Sequence, residues 1–259
     1  MTDHPSTFVW YELMSSDLDA ARAFYTQVVG WHTEELPLPG MAYTMLSAGD
    51  TPIGGMMTMP ERVRAAGAKP RWLAHIATQD VDAAAAKVTR LGGTIHRPPT
   101  DIENVGRYAV AADRQGAAFY LFKPAKPGAA GVSEAPGSVG WHELHSTDWP
   151  DAMAFYGEMF GWQKGDPFDM GPMGTYQLFT VSGRTVGGMF NSSAAKTQSK
   201  CFWLYYFRID DIDAGARRIR EYGGTITNGP HQVPGGGWII QASDPQGAAF
   251  ALLGTRANS

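Results

Sequence analysis

The sequence predicts an α+β fold of four βαβββ modules in two tandem domains, and three observations carry the prediction. The chain repeats itself 131 residues apart: Trp10, Glu12, Leu13, Ser15, Asp17, Phe24, Tyr25, Gly30 and Trp31 return as Trp141, Glu143, Leu144, Ser146, Asp148, Phe155, Tyr156, Gly161 and Trp162, and 11 of the 22 positions from Trp10 to Trp31 are identical. Chance agreement would be roughly one position in sixteen. The echo continues in register through Asp80 and Asp82 against Asp211 and Asp213, Gly92-Gly93 against Gly223-Gly224, and Asp113, Gln115 and Gly116 against Asp244, Gln246 and Gly247. Only the middle slips, by two residues, where Tyr43 to Met57 matches Tyr176 to Phe190. Finally, each half contains the same order of elements twice. A repeat of about 130 residues is far longer than a solenoid repeat and has the size of a compact domain.

Within the first half, Phe8 to Met14 has strand character. Ser15 to Asp17 then supplies capping chemistry for an alanine-rich helix whose Ala20, Ala23, Phe24 and Val28 fall at helical spacing, with Gly30 ending it. The stretches near Trp31 to Glu35, Tyr43 to Ala48 and Ile53 to Met59 are short, separated by Pro and Gly turns, and read as strands. The order then recurs. Trp72 to Thr78 is a strand, Val81 to Leu91 an amphipathic helix stopped by Gly92 and Gly93, and strands follow near Thr94, Arg107 to Ala111 and Ala117 to Phe122. Each module has one sheet face to cover with its helix and another to turn elsewhere.

A content of 44 % hydrophobic and 12 % aromatic residues is ample for real cores. A net charge of −4 with no block of Lys or Arg argues against nucleic acid or an anionic membrane as partner and leaves a small molecule. The single cysteine, Cys201, forms no internal disulfide; the polar start resembles no secretory signal, and no run of about 20 apolar residues is long enough to span a bilayer. A cytoplasmic protein is the expectation. Lys123 to Ser138 is rich in Pro, Gly and Ala, which divides the chain into a first domain over 1–124, a linker over 125–138 and a second domain over 139–259.

The strand leading to Asp17 or Asp148, the Phe-Tyr pair, the Gly-Trp ending, the helix starts at Asp80 and Asp211 and the turns at Asp113 and Asp244 together resemble the vicinal oxygen chelate superfamily. That superfamily includes glyoxalase I, bleomycin-resistance proteins and extradiol dioxygenases. The resemblance covers nearly the whole chain, twice. It implies paired βαβββ modules whose sheets curl into a cup around a small ligand, with chemistries from isomerisation to ring cleavage to plain sequestration. In metal-using members that resemble this chain, the first and last strands of two modules each supply a ligand, usually His or Glu. Those positions fall on Trp10, Leu73, Met56 or Met57 and Tyr120 in the first half, and on Trp141, Leu204, Met189 or Phe190 and Ala251 in the second. Only Tyr120 is a plausible ligand. The reading is therefore of two cups without the usual metal site, and of no cofactor.

Alternation along strands places Trp10, Glu12 and Met14 on one side, and likewise Trp141, Glu143 and His145; Leu73, His75 and Ala77 face the first cup and Leu204, Tyr206 and Arg208 the second. Apolar walls with a few polar groups are what a small-molecule pocket needs, and Trp10, Met57, Tyr120, Trp141, Phe190, Tyr206, Arg208 and Trp238 are the candidate ligand contacts, with Tyr43, Tyr108 and Tyr176 adding stacking surface. The alternative is that these aromatics fill the cups as core.

Glu12 and Glu143 on inner faces must be hydrogen-bonded, paired or neutralised. Each either locks an Arg, Tyr or Trp across the sheet or serves as an acid-base group, with His75 as the partner of Glu12 and His145, near Arg208, as the partner of Glu143. His142 points the other way and reads as structural. Glu143 and His145 alone are too few to hold a metal. Gly235 to Gly237 beside Trp238 either gate the second cup or make a turn.

The leading expectation is a metal-free small-molecule-binding protein for an apolar or aromatic metabolite or toxin. The alternative is a metal-independent isomerase, lyase or hydroxylase using Glu and His. Metal-dependent glyoxalase or dioxygenase activity would need ligands that the alignment does not supply. Met14 stands where the second half has His145 and Ala77 where it has Arg208, so at most one cup is expected to be active. A monomer with internal pseudo-twofold symmetry is expected, since the duplication supplies the partner that single-domain relatives recruit.

Overall fold

The computed structural model describes residues 6–38, 41–126, 134–192 and 201–256. The first half runs β1 (Phe8–Ser15), α1 (Leu18–Val28), β2 (His32–Leu38), β3 (Met41–Ala48), β4 (Thr51–Thr58), α2 (Glu61–Ala65), β5 (Arg71–Ala77), α3 (Val81–Arg90), β6 (Thr94–Ile102), β7 (Gly106–Ala112) and β8 (Ala118–Pro124). The second half runs β9 (Val139–Ser146), α4 (Trp149–Phe160), β10 (Gln163–Asp169), a 3-10 turn (Gly171–Met173), β11 (Thr175–Val181), β12 (Arg184–Asn191), β13 (Phe202–Asp211), α5 (Ile212–Glu221), β14 (Thr225–Gln232), β15 (Trp238–Ser243) and β16 (Ala249–Thr255). They form two eight-stranded sheets, ordered β2-β3-β4-β1-β5-β8-β7-β6 and β10-β11-β12-β9-β13-β16-β15-β14. The α+β fold of βαβββ modules stands. Helix α2, which sequence reading did not anticipate, buries nothing and links β4 to β5. The proposed linker lies partly outside the described residues.

Each long helix begins at an aspartate, as the repeat indicates. Asp17, Asp80, Asp148 and Asp211 accept from backbone N–H groups of Ala20, Ala83, Asp151 and Ala214 at 2.9 to 3.2 Å. Such a cap is worth about 1 kcal/mol. In α1 the buried stripe is Ala21, Phe24, Tyr25 and Val28; Ala20 and Ala23 are exposed, which corrects the expected stripe by one position at its start. The two-residue slip of the repeat falls between β10 and β11, where the turn Met170 to Gly174 closes with Met170 N–H on the Gly174 carbonyl at 2.9 Å.

By compactness the chain divides into two units, each combining modules from both halves: Met1–Val9, Leu73–Gly131 and His142–Trp203 in unit 1, and Trp10–Trp72, Val132–Trp141 and Leu204–Ser259 in unit 2. The signature residues of the repeat hold each unit together. In unit 1, Trp203 Nε1 donates to Tyr156 Oη (2.9 Å) and Tyr156 Oη donates to Asp113 (3.0 Å), whose other oxygen accepts from the backbone of Gln115 and Ala117. In unit 2 the same relay runs from Trp72 through Tyr25 to Asp244. Burial raises the pKa of both aspartates against these hydrogen bonds, which favour the charged form.

A glutamine two residues after each aspartate completes the join. Gln115 accepts from Thr147 and Asp148 N–H (3.1 and 2.9 Å) and donates to the Asp148 carbonyl (2.7 Å), while Gln246 does the same at Ser16 and Asp17. The Gly-Trp endings serve as core: Trp162 Nε1 donates to the Ser6 carbonyl and Trp31 Nε1 to the Gly137 carbonyl, both at 2.8 Å. The most recognisable residues of the repeat therefore build the scaffold, which leaves the opposite strand faces for function.

Candidate functional site

Strand alternation in unit 1 sets the face. His142 lies on the side of α4, its ring stacked on Phe8 (3.9 Å, 9°) and its Nδ1 donating to the Val186 carbonyl (2.8 Å). Burial holds its pKa down to about 4. His142 is thus structural, as its position on the strand indicates. Glu143 and His145 point to the other side. On β13, Trp203 faces α4, so Phe202 turns to the side of His145.

Tyr176 reaches this face by crossing a neighbouring strand. It sits on β11, whereas Glu143 sits on β9 with β12 between them. Register places Gly188 of β12 opposite Glu143, and a Cβ on Gly188 would lie 2.0 Å from the Tyr176 ring. Only glycine lets the ring lie across the strand. Tyr176 Oη then donates to Glu143 Oε2 at 2.9 Å, and Glu143 Oε1 lies 2.9 Å from His145 Nε2. Glu143 and His145 are both buried, and the imidazole is stacked on Phe202 (4.4 Å, 14°) with the Phe190 ring edge-on at 4.9 Å. A carboxylate, an imidazole and a phenol in contact can hold or relay a proton.

The first half repeats part of this within unit 2. Gly55 stands opposite Glu12, and a Cβ there would lie 2.1 Å from Tyr43 Oη. The Tyr43 hydroxyl donates to Glu12 and accepts from Trp10 Nε1 at 2.9 Å. Burial first, and the Glu12 charge second, push the Tyr43 pKa well up. Where the second half has His145, the first has Met14, whose β4 neighbour is Met57. Of the two possibilities for the glutamates, each does lock a tyrosine across the sheet, and Glu143 additionally holds a histidine.

The remaining candidates separate. In unit 1, His75 lies flat on Tyr120 (4.2 Å, 22°) with Phe122 edge-on at 5.2 Å, and burial holds its pKa down to about 3. In unit 2, the Tyr206 hydroxyl accepts from Gln241 Nε2 at 2.7 Å. Arg208 is half-buried against Gly140, where a Cβ would meet its Nε at 2.9 Å, and Trp141 is half-buried on β9. Trp238 lies under the Arg256 guanidinium, 3.7 Å from its ring centre, and Arg256 is held by both oxygens of Asp213. Gly235 to Gly237 lie in the turn between β14 and β15, closed by Val233 N–H on the Gly237 carbonyl at 2.8 Å.

Sequence reasoning missed Gly55, Gly188 and Phe202. A signal for the glycines existed, because Gly54-Gly55 and Gly187-Gly188 occupy equivalent places in the repeat. For Phe202 there was none.

The positions that the family resemblance assigns to metal ligands carry Trp10, Leu73, Met56 or Met57 and Tyr120, and Trp141, Leu204, Met189 or Phe190 and Ala251. Among the described residues no group of three or more His, Cys, Asp or Glu is arranged to hold a metal ion. Indole, alkyl and thioether groups with one phenol do not fit a divalent ion that takes N and O ligands.

Nested βαβββ modules in two eight-stranded sheets define the fold class of the chain, and the comparisons supply its family. The family model described as "Glyoxalase/Bleomycin resistance protein/Dioxygenase superfamily" matches residues 7–121 and again 138–252, and the chain belongs to that superfamily. A Mycobacterium tuberculosis protein named "Putative glyoxylase CFP32" is 32% identical over 247 residues, 94% of this chain and 93% of that one. The "Anthracycline biosynthesis protein DauV" of Streptomyces sp. (strain C5) is 31% identical over 264 residues, 97% of this chain and 94% of that one. The solved 2,2',3-trihydroxybiphenyl 1,2-dioxygenase from Sphingomonas wittichii strain RW1 has a TM-score of 0.69 at 11% identity, covering 97% of this chain and 91% of that one. At that identity the likeness is one of fold. Among the described residues, no helix is long and apolar enough to cross a membrane.

Proposed function

We propose that the chain binds a small apolar or aromatic molecule on the inner face of its second half, without the superfamily's metal ion. The observation that carries this reading is the cluster of Glu143, His145 and Tyr176 bordered by the rings of Phe190 and Phe202. A few fixed polar groups set among apolar walls give a ligand orientation and affinity. The name of the Streptomyces relative, an anthracycline biosynthesis protein, supports an aromatic ligand class. The metal-free reading rests on the side chains at the ligand positions. In this reading the protein works in the cytoplasm as a monomer with internal pseudo-twofold symmetry, and elution as a tight dimer would count against that.

The test is elemental analysis of the purified protein, with thermal melts after adding Ni, Zn, Fe or Mn and after adding a panel of aromatic and α-dicarbonyl compounds. Stabilisation by aromatics and not by metals is expected. About one tightly held ion per chain, as in a catalytic metal site, would overturn the metal-free reading.

A second reading is favoured by one specific contact, the 2.9 Å approach of His145 Nε2 to Glu143. Such a pair can act as an acid-base couple for isomerase, lyase or hydroxylase chemistry. With Glu143→Ala, loss of turnover with retained binding would establish catalysis. Unchanged turnover of any substrate found would dismiss it.

A further inference from the structure

Resting on the proposed aromatic-ligand reading, and going beyond it, we propose that the ligand is a planar aromatic carrying a hydrogen-bond-donating hydroxyl, and that His145 Nδ1 accepts that hydrogen bond. Two independent features lead there, a row of rings and the placement of one proton.

The row comes from register. Phe168 pairs with Tyr176, Tyr176 with Phe190, and Phe190 with His145, across β10, β11, β12 and β9. Residues directly opposite on adjacent strands share a face, so four flat side chains lie in line across the sheet. The row runs from Phe168, 41% exposed, to His145, 7% exposed. Such a track offers stacking area to flat rings and presents them to one polar end. The equivalent row of the first half is Leu36, Tyr43, Met57 and Met14, in which only the tyrosine ring remains and two flexible thioethers and a leucine replace the others.

The placement of the ring proton is set by Glu143. A carboxylate oxygen accepts, so the contact calls for a ring hydrogen on Nε2, and in the imidazole tautomer that supplies it the lone pair is left on Nδ1. Tyr176 Oη, bonded to the other carboxylate oxygen, positions Glu143 for this role. Nδ1 is buried and has no hydrogen-bond partner among the described residues. A buried acceptor of that kind is best satisfied by a donor brought in with the ligand. The half-buried rings of Phe190 and Phe202, which cover the imidazole, are the side chains that yield to admit it. If the proton passes fully, the ligand O–H bond breaks, an Nδ1–H bond forms and the electron pair stays on oxygen. The resulting imidazolium is then held by the Glu143 carboxylate.

The experiment is calorimetric titration of the full chain with 2-naphthol, 2-methoxynaphthalene and naphthalene. Wild-type protein is expected to bind 2-naphthol at least tenfold more tightly than the other two. His145→Phe, which keeps a ring in the row, should bring the three together. Glu143→Gln is the second variant should His145→Phe fail to fold: its amide donates to Nε2, moves the ring proton to Nδ1 and should likewise erase the preference. Equal wild-type affinities for all three would overturn the hydroxyl acceptor while leaving the aromatic-ligand reading in place. A preference that survives Glu143→Gln would overturn the role given to the carboxylate. Binding of none of the three would overturn both readings.

Discussion

The inner faces of the two halves share a frame and differ in what the frame holds. In both, a glycine on the strand beside the glutamate clears the way for a tyrosine two strands off, giving Tyr43 on Glu12 and Tyr176 on Glu143. Two residues beyond the glutamate the halves part, with Met14 in one and His145 in the other. The buried carboxylate and its tyrosine lock recur in both halves, while the position two residues on, which takes no part in the lock, differs between them. A shared motif in a repeat protein therefore marks scaffold, and departures from the repeat mark where to look for function.

The largest expected effect tests the shared frame. Gly188→Val and Gly55→Val each drive a side chain into a tyrosine ring, and each should cost about 3 kcal/mol in urea melts. A loss in only one half would break the equivalence.

Acid titration comes next, because His142 has no counterpart in the first half, where Tyr11 stands in its place. Its folded pKa of about 4 lies below the unfolded value of about 6.5. Stability is full above pH about 6.5 and is lost as pH falls towards 4, by about 2.5 kcal/mol at pH about 4.5. His75, with a folded pKa of about 3, contributes in the same direction. His142→Phe should flatten the slope of stability against pH over that window, and an unchanged slope would remove His142 as its source.

Met14→His would make the first face resemble the second. The expected result is a second 2-naphthol site in calorimetry, with a hydroxyl preference of about tenfold, or about 1.4 kcal/mol. Stoichiometry unchanged from wild type would show that the row of rings, absent from the first half, is also required.

The smallest effects belong to the aspartates after the helix caps. Asp82 is paired with Arg107 and Asp213 with Arg256, at sites 32% to 62% exposed. Arg107→Ala and Arg256→Ala should each leave the urea-melt midpoint close to wild type, with Arg256 the larger shift because it also covers Trp238.

Much of the fold was legible because its signals are local. Aspartate caps, glycine stops and strand alternation act over a few residues, and they placed the long helices and the inner-face glutamates. Helix α2 escaped because it buries no side chain and so has no apolar stripe to read. The compact units escaped for another reason. Tyr156 to Asp113 and Tyr25 to Asp244 join residues 43 and 219 positions apart, and no periodicity reports such a pairing.

Sequence by itself determined the duplication, the order of elements in each module and which side of a strand Glu143 and His145 share. Those follow from a repeat, from capping chemistry and from the two-residue period of a strand. Tertiary structure alone decided that Tyr176 crosses Gly188 to reach Glu143, that Phe202 stacks on His145, and that Phe168, Tyr176, Phe190 and His145 line up. Cross-strand register depends on packing summed over whole sheets, and a shift of one residue would send every one of those side chains to the opposite face.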